Sequence, residues 1–309
     1  MLTHRVDTID WQSPIDLSRR FVSDSIAPLP YTRVYSELGP HHRLRYNQLT
    51  GMFSNELILR LETGFLDRVL AAVVRRSGRD SVDADLVAAL HRFRDDERSH
   101  AVLWRQLNRL SAPAWYEHAD AHFLQMPAAL DAAAALLTRY PLACPVVFWL
   151  QLVQEERSIE ISRRCLRMPV DEIEPRYRAV YGAHVRDEVR HVRLDCQLIE
   201  RFHARQSAVA RRLTAAIFRW VVGRAFLRPV RSTVGIVRTL ASEYPELQPL
   251  LPRMIRELGA LPEDLAYHEM MYSRRTTPIT FELFDAFPEF HQMRDVLLAY
   301  TPASAEGGA

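Results

Sequence analysis

Apolar residues recur every three or four positions along most of this chain, and the rhythm breaks at prolines and glycines, so the pattern predicts helices joined by short connections. From about residue 44 to 76 the spacing is helical. Around Glu62 the same-face neighbours Ile58, Leu59, Phe65, Leu66 and Val69 are all apolar, which turns this carboxylate inward. Ser77-Gly78 interrupts the pattern, and Ser81, Asp83 and Asp85 start a second helix that runs to about Leu110, with Leu90, Phe93, Ala101 and Trp104 on the face of Glu97 and His100. Pro113 and a mixed run to Met126 form a connection, and an alanine-rich helix follows over about 128–140. Pro145 opens a third core helix at 146–167, closed by Pro169, in which Glu155 and Glu156 interrupt an apolar run and one of the two must face the core. Pro175 starts a fourth helix, about 176–205, carrying Tyr177, Val180, Tyr181, Leu194 and Leu198 around His184, Glu188 and His191. Helical segments at about 209–227, 230–242, 246–258 and 263–274 follow, and Pro278, Pro288 and the stretch to Tyr300 cover the bundle.

No strand-type alternation persists, so the fold class is all-α. The expected organisation is an extended arm over residues 1–40, one helical domain over 41–300 with its core bundle at 44–205 and covering helices at 207–300, and a disordered tail over 301–309.

Apolar residues make up 48% of 309, enough to bury a large core. Arginine carries all the Lys+Arg charge, 40 against 38 acids, and a net charge of +2 leaves no global footprint for nucleic acid or an anionic membrane. The stretches from Pro145 to Val153 and from Leu213 to Leu227 are too short, or too interrupted by arginine, to span a bilayer. Early charges at Arg5, Asp7 and Asp10 argue against a secretory leader, and Cys144, Cys165 and Cys196 form no CxxC pair, which fits a reduced cytoplasm.

The chemistry sits on the second and fourth helices. Positions i, i+4 and i+7 share a helix face, so His184, Glu188 and His191 form one column, and Glu97 and His100 pair at i and i+3 upstream. Two ExxH helices, each with a partner helix supplying one more glutamate, are the ligand pattern of ferritin-like di-iron carboxylate bundles. Imidazole and carboxylate together suit iron or manganese, whereas structural zinc more often recruits cysteine. Asp96 and Asp187, one residue before each ExxH glutamate, are candidates to accept the second ring N–H of a ligating histidine. Glu62, Glu97, Glu155 and Glu188 are spaced about 35, 58 and 33 residues apart, one helical hairpin each.

On Leu49-Thr50-Gly51-Met52, Asn55-Glu56, Glu62, Glu97-xx-His100, Val153-Gln154-Glu155 and Arg186-Asp187-Glu188 flanked by His184 and His191, the chain resembles the di-iron arylamine N-oxygenases, of which p-aminobenzoate N-oxygenase is the known member. The resemblance covers about residues 40–205, and its most specific feature is His184, a third histidine where ferritins, desaturases and ribonucleotide reductase radical subunits have two. It implies a ferritin-like four-helix bundle with two iron ions held by Glu62, Glu97, His100, Glu155, His184, Glu188 and His191. It favours Glu155 over Glu156, although apolar Trp149 and Val153 point weakly the other way. His184 is expected on the iron that Glu188 and His191 bind. The implied activity is oxidation of an amine by dioxygen through hydroxylamine and nitroso toward nitro in natural-product biosynthesis. Its partners would be a small-molecule or carrier-bound amine, an external electron donor and a second copy in a homodimer. Other di-iron oxidases, desaturase-like or radical-generating, remain the alternative. Iron storage is weaker because roughly 100 residues follow the bundle.

Overall fold

The computed structural model describes residues 9–77, 84–124, 128–140, 145–227 and 231–303. The predicted start of the second helix at Ser81 and Asp83, the end of the connection at Met126, Cys144, and most of the tail fall outside the described residues.

Among the described residues there are twelve α-helices, joined in places by short 3-10 and π-helical segments: α1 (Pro40–Arg60), α2 (Asp67–Ser77), α3 (Ala84–Ser111), α4 (Pro113–Tyr116), α5 (Ala128–Arg139), α6 (Val146–Leu166), α7 (Pro175–Leu198), α8 (Ala208–Val221), α9 (Arg231–Glu243), α10 (Leu251–Ala260), α11 (Leu265–Met271) and α12 (Pro278–Ala286). Among the described residues the sole β pairing is an isolated bridge between Arg20 and Ile173, in keeping with the all-α pattern. None of these helices is long and apolar enough to cross a membrane.

The core is built from α1 with its extension α2, α3, α6 and α7. Helix α6 lies along α7, α1 along α3, and α3 also meets α7. Between α1 and α2 the chain makes a π-helical turn, Leu61–Leu66, and Glu62 sits on it. One residue is added to the helical turn there, so the sequence pattern reads as a single helix while the carboxylate is re-aimed; such turns recur at functional sites. The start of α7 is pinned by Glu174, whose buried carboxylate accepts from the Arg176 and Tyr177 amides.

The arm is not extended as expected. Residues 24–37 form three short 3-10 turns laid against the bundle, since Phe21, Val22, Leu29 and Val34 are fully buried and their backbone needs partners inside the protein. The Asn47 side chain accepts from the Phe21 and Val22 amides and donates to Val22 O. Gly51 permits this packing: a Cβ there would come within 2.6 Å of Phe21 Cβ.

Helix α12 was read from sequence only as covering chain. It packs on α6 with α8, placing Phe284 and Phe290 against Trp149 at ring separations of 6.0 and 3.9 Å. Two apolar clusters result. One gathers the arm, α1, the C-terminal half of α3 and α9 to α11; the other gathers α2, the N-terminal parts of α3 and α6, α8 and α12. Helices α3, α6 and α7 carry the buried polar residues Glu97, His100, Glu155, His184, Glu188 and His191.

Candidate metal centre

All seven expected ligands converge. Glu62, Glu97, His100, Glu155, His184, Glu188 and His191 are each at most 5% exposed. They fall into two groups whose ligand atoms lie within 4.8 Å of one another: Glu62, His100, His184 and Glu188, and Glu97, Glu155, Glu188 and His191.

Glu188 belongs to both. Its Oε1 lies 3.0 Å from His184 Nε2 and 3.4 Å from His100 Nδ1, while its Oε2 lies 3.3 Å from His191 Nδ1. Glu62 Oε1 completes the first group at 3.3 Å from His184 Nε2, and Glu97 Oε1 the second at 3.0 Å from His191 Nδ1. The expectation that His184 shares a metal with His191 is therefore corrected: His184 stands with His100. Seven residues on one helix face span roughly 10 Å of axis. One cation cannot reach both ends, and Glu188 at the midpoint faces each.

Four carboxylates buried this close demand positive charge. Burial and the neighbouring Glu97 push the Glu62 carboxyl up to about 7, and burial and Glu188 push Glu155 well above the usual range. Burial raises Glu188 as well, but His184 and His191 outweigh it and hold it well below that range. His184 is drawn down by burial, yet Glu188 and Glu62 hold it at about 10. These opposed shifts mark a cluster whose carboxylates lack compensating positive charge from any arginine or lysine among the described residues, which is what a bound cation would supply. The polar atoms tell the same story: Glu62 Oε2, both Glu97 oxygens, His100 Nδ1 and Glu188 Oε1 are buried without a hydrogen-bond partner, despite contacts as short as 3.0 Å. Atoms that approach each other without hydrogen-bond geometry are aimed at common points between them, as ligands of a shared cation would be. The residues therefore fit a pair of cations with mixed carboxylate and imidazole ligation.

The surroundings orient the imidazoles. His100 Nε2 lies 3.2 Å from Asp187 Oδ2 and His191 Nε2 lies 3.4 Å from Asp96 Oδ2, so each aspartate serves the histidine of the other helix. That arrangement leaves Nδ1 of both rings facing the centre, whereas His184 presents Nε2 and has the Ser162 hydroxyl 3.5 Å from its Nδ1. The Trp104 indole donates to Glu62 Oε1 at 3.1 Å. Phe93 stacks on His191 at 3.7 Å and Trp104 stands edge-on to His184 at 5.0 Å, closing both ends to water.

Glu155 and Glu156 face opposite ways. Glu155 lies in the centre, and Glu156 accepts from the Ile279 and Thr280 amides at 2.9 and 2.7 Å, capping the N-terminus of α12. The apolar Trp149 marks the face that α12 covers.

Two contributors had no reading from sequence. Arg190 Nη2 reaches Asp187 Oδ1 at 2.7 Å and Asp96 Oδ2 at 3.1 Å, clamping both aspartates. Fully buried Asp195, one turn beyond His191, is bonded by Gln151 Nε2 at 2.6 Å. That i+4 spacing was its available signal. Trp104 was placed on the inward face, but its contact with Glu62 depends on how α1 and α3 pack. Cys165 and Cys196 are free, and burial pushes both thiols up to about 12, so neither offers a thiolate.

No curated protein matches the chain. The family model described as p-aminobenzoate N-oxygenase AurF matches residues 3–241, well over half of the sequence. The chain thus belongs to the p-aminobenzoate N-oxygenase AurF family of ferritin-like di-iron proteins and is an oxygenase, an oxidoreductase that uses dioxygen.

Proposed function

We propose that the protein oxidises the nitrogen of an amine, from amine through hydroxylamine and nitroso toward nitro, with two iron ions held by Glu62, Glu97, His100, Glu155, His184, Glu188 and His191. The carrying observation is the third histidine: His184 Nε2 lies 3.0 Å from Glu188 and 3.3 Å from Glu62, inside the centre. When bound and reduced, the iron pair supplies the electrons that activate dioxygen, and no side-chain nucleophile is needed.

The chain's own residues arrange and protect that chemistry. Asp187 and Asp96 hold His100 and His191 in one tautomer, and the Trp104 indole, donating to Glu62 Oε1, fixes the orientation of that carboxylate toward His184. The Phe93 and Trp104 rings exclude water, which would quench reactive oxygen before it meets the nitrogen. Tyr181 is a poor host for a radical, because its fully buried hydroxyl has no hydrogen-bond partner among the described residues to take its proton.

The substrate is an amine, free or carrier-bound, in a natural-product pathway within the cytoplasm, and an external donor returns the iron to its ferrous form. Unpaired Cys165 and Cys196 support a reducing compartment. The test is to load the protein with iron, reduce it, and add dioxygen with a panel of aromatic and aliphatic amines. Mass spectrometry should find at least one amine gaining oxygen on nitrogen. Dioxygen consumption with every amine recovered unchanged, or oxygen appearing on carbon alone, would overturn the reading.

A further inference from the structure

The seven residues of the centre are too buried for a donor protein to touch, so electrons must enter through something that reaches the surface. Arg190 does so. Its side chain is 57% exposed, and its guanidinium contacts Asp187 and Asp96, which in turn contact His100 and His191. Two hydrogen-bonded links thus connect solvent to each half of the centre.

Arg190 lies on a basic stripe. Arg178, Arg186, Arg190 and Arg193 follow one another along one side of α7 at helical spacing, with Arg186, Arg190 and Arg193 exposed. The two acids in that span, Asp187 and Glu188, are buried. Among the described residues, Arg178, Arg186 and Arg193 form no ion pair with a carboxylate, whereas Arg94 and Arg98 on the neighbouring α3 are tied up by Asp67 and Asp95. Positive charge is therefore in surplus on α7. At one end of the stripe a groove of about 490 Å³ opens between Arg178 and Arg186, floored by Gly182 and Ala183.

We propose that an acidic one-electron carrier protein docks on the basic stripe of α7 and passes electrons through the carboxylates that Arg190 clamps to His100 and His191. This rests on the di-iron reading above. Each encounter oxidises the carrier by one electron, and two encounters deliver the two electrons that convert a ferric pair to a ferrous pair. Charge complementarity selects the partner: unpaired guanidinium groups attract an anionic surface and speed its approach, an effect that salt screens.

The first measurement uses metal-free protein, so it reads the surface whether or not the chain loads iron. Titration with an oxidised acidic [2Fe–2S] ferredoxin at low salt should show binding. The R186E/R193E variant, changed only at exposed positions, should bind at least about tenfold more weakly, and raising the salt to about 0.5 M should weaken the wild type comparably. The second uses iron-loaded protein: reduced ferredoxin should reduce the variant at least about tenfold more slowly than the wild type, with dithionite, which needs no docking, as the control donor. Equal affinity of variant and wild type, salt-independent binding, or equal binding of basic cytochrome c would overturn the proposal. Slowing that appears equally with dithionite would also overturn it, because the substitutions would then be acting on the centre rather than on docking.

Discussion

The two halves of the centre share Glu188 and differ in everything else. One sets Glu62 beside two imidazoles, His100 and His184; the other sets Glu97 and Glu155 beside one, His191. A cation in the second half would face one more anionic ligand than a cation in the first. By Coulomb's law the carboxylate-rich half should favour the more highly charged metal and the imidazole-rich half the ferrous state. The added histidine is thus more than a spare ligand, because it widens an inequivalence that the extra carboxylate of the other half already creates.

The largest test of this division is Glu188→Ala. Because one carboxylate faces both groups, its loss should empty both halves, taking iron from about two per chain to near zero while circular dichroism stays helical. Retention of one iron would show that the halves are held independently.

His184→Ala should act on one half alone. The expected outcome is a folded protein that keeps the carboxylate-rich metal, loses amine oxidation and shows altered spectra of the oxygen-exposed iron. Unchanged spectra and turnover would reduce His184 to a packed core residue.

Glu155 and Glu156 separate the centre from its support. Glu155→Ala should lose the metal of the carboxylate-rich half. Glu156→Ala should keep iron yet lower stability by about 1–3 kcal/mol, because it strips two amides at the start of α12 of their acceptor. Iron analysis beside a denaturant titration distinguishes the two, and the reverse pattern would reassign the third-helix ligand.

The smallest effects should come from the aspartates, and their crossing makes them diagnostic. Asp187→Asn should weaken the metal near His100 and Asp96→Asn the metal near His191, each by about 10–100-fold. Weakening of the same half by both would show that the crossed pairing does not hold in solution.

These contrasts also mark what periodicity can carry. Apolar spacing turned Glu62, Glu97 and His100 inward, and helical arithmetic aligned His184, Glu188 and His191, because both properties are set within a single helix. Which histidine stands with which glutamate is set between helices. His184 joins His100 because α3 meets α7 at that level, and no spacing along α7 contains that information. The same limit hid the crossed aspartates and the Arg190 clamp. The π turn at Glu62 was hidden for a different reason, since one added residue leaves an apolar pattern nearly intact. The turns of the arm and the docking of α12 on α6 were not legible, because short turns and a Pro-initiated helix are held by contacts with the bundle, Asn47 for one and Glu156 for the other, more than by their own pattern.

The central claim, two inequivalent irons bridged by Glu188, is tested most directly by Mössbauer spectroscopy on protein loaded with ⁵⁷Fe under anaerobic reducing conditions, with metal content measured on the same sample. About two irons per chain in two resolvable ferrous environments of equal area is the predicted result. One iron or none per chain, or two irons in a single environment, would contradict it.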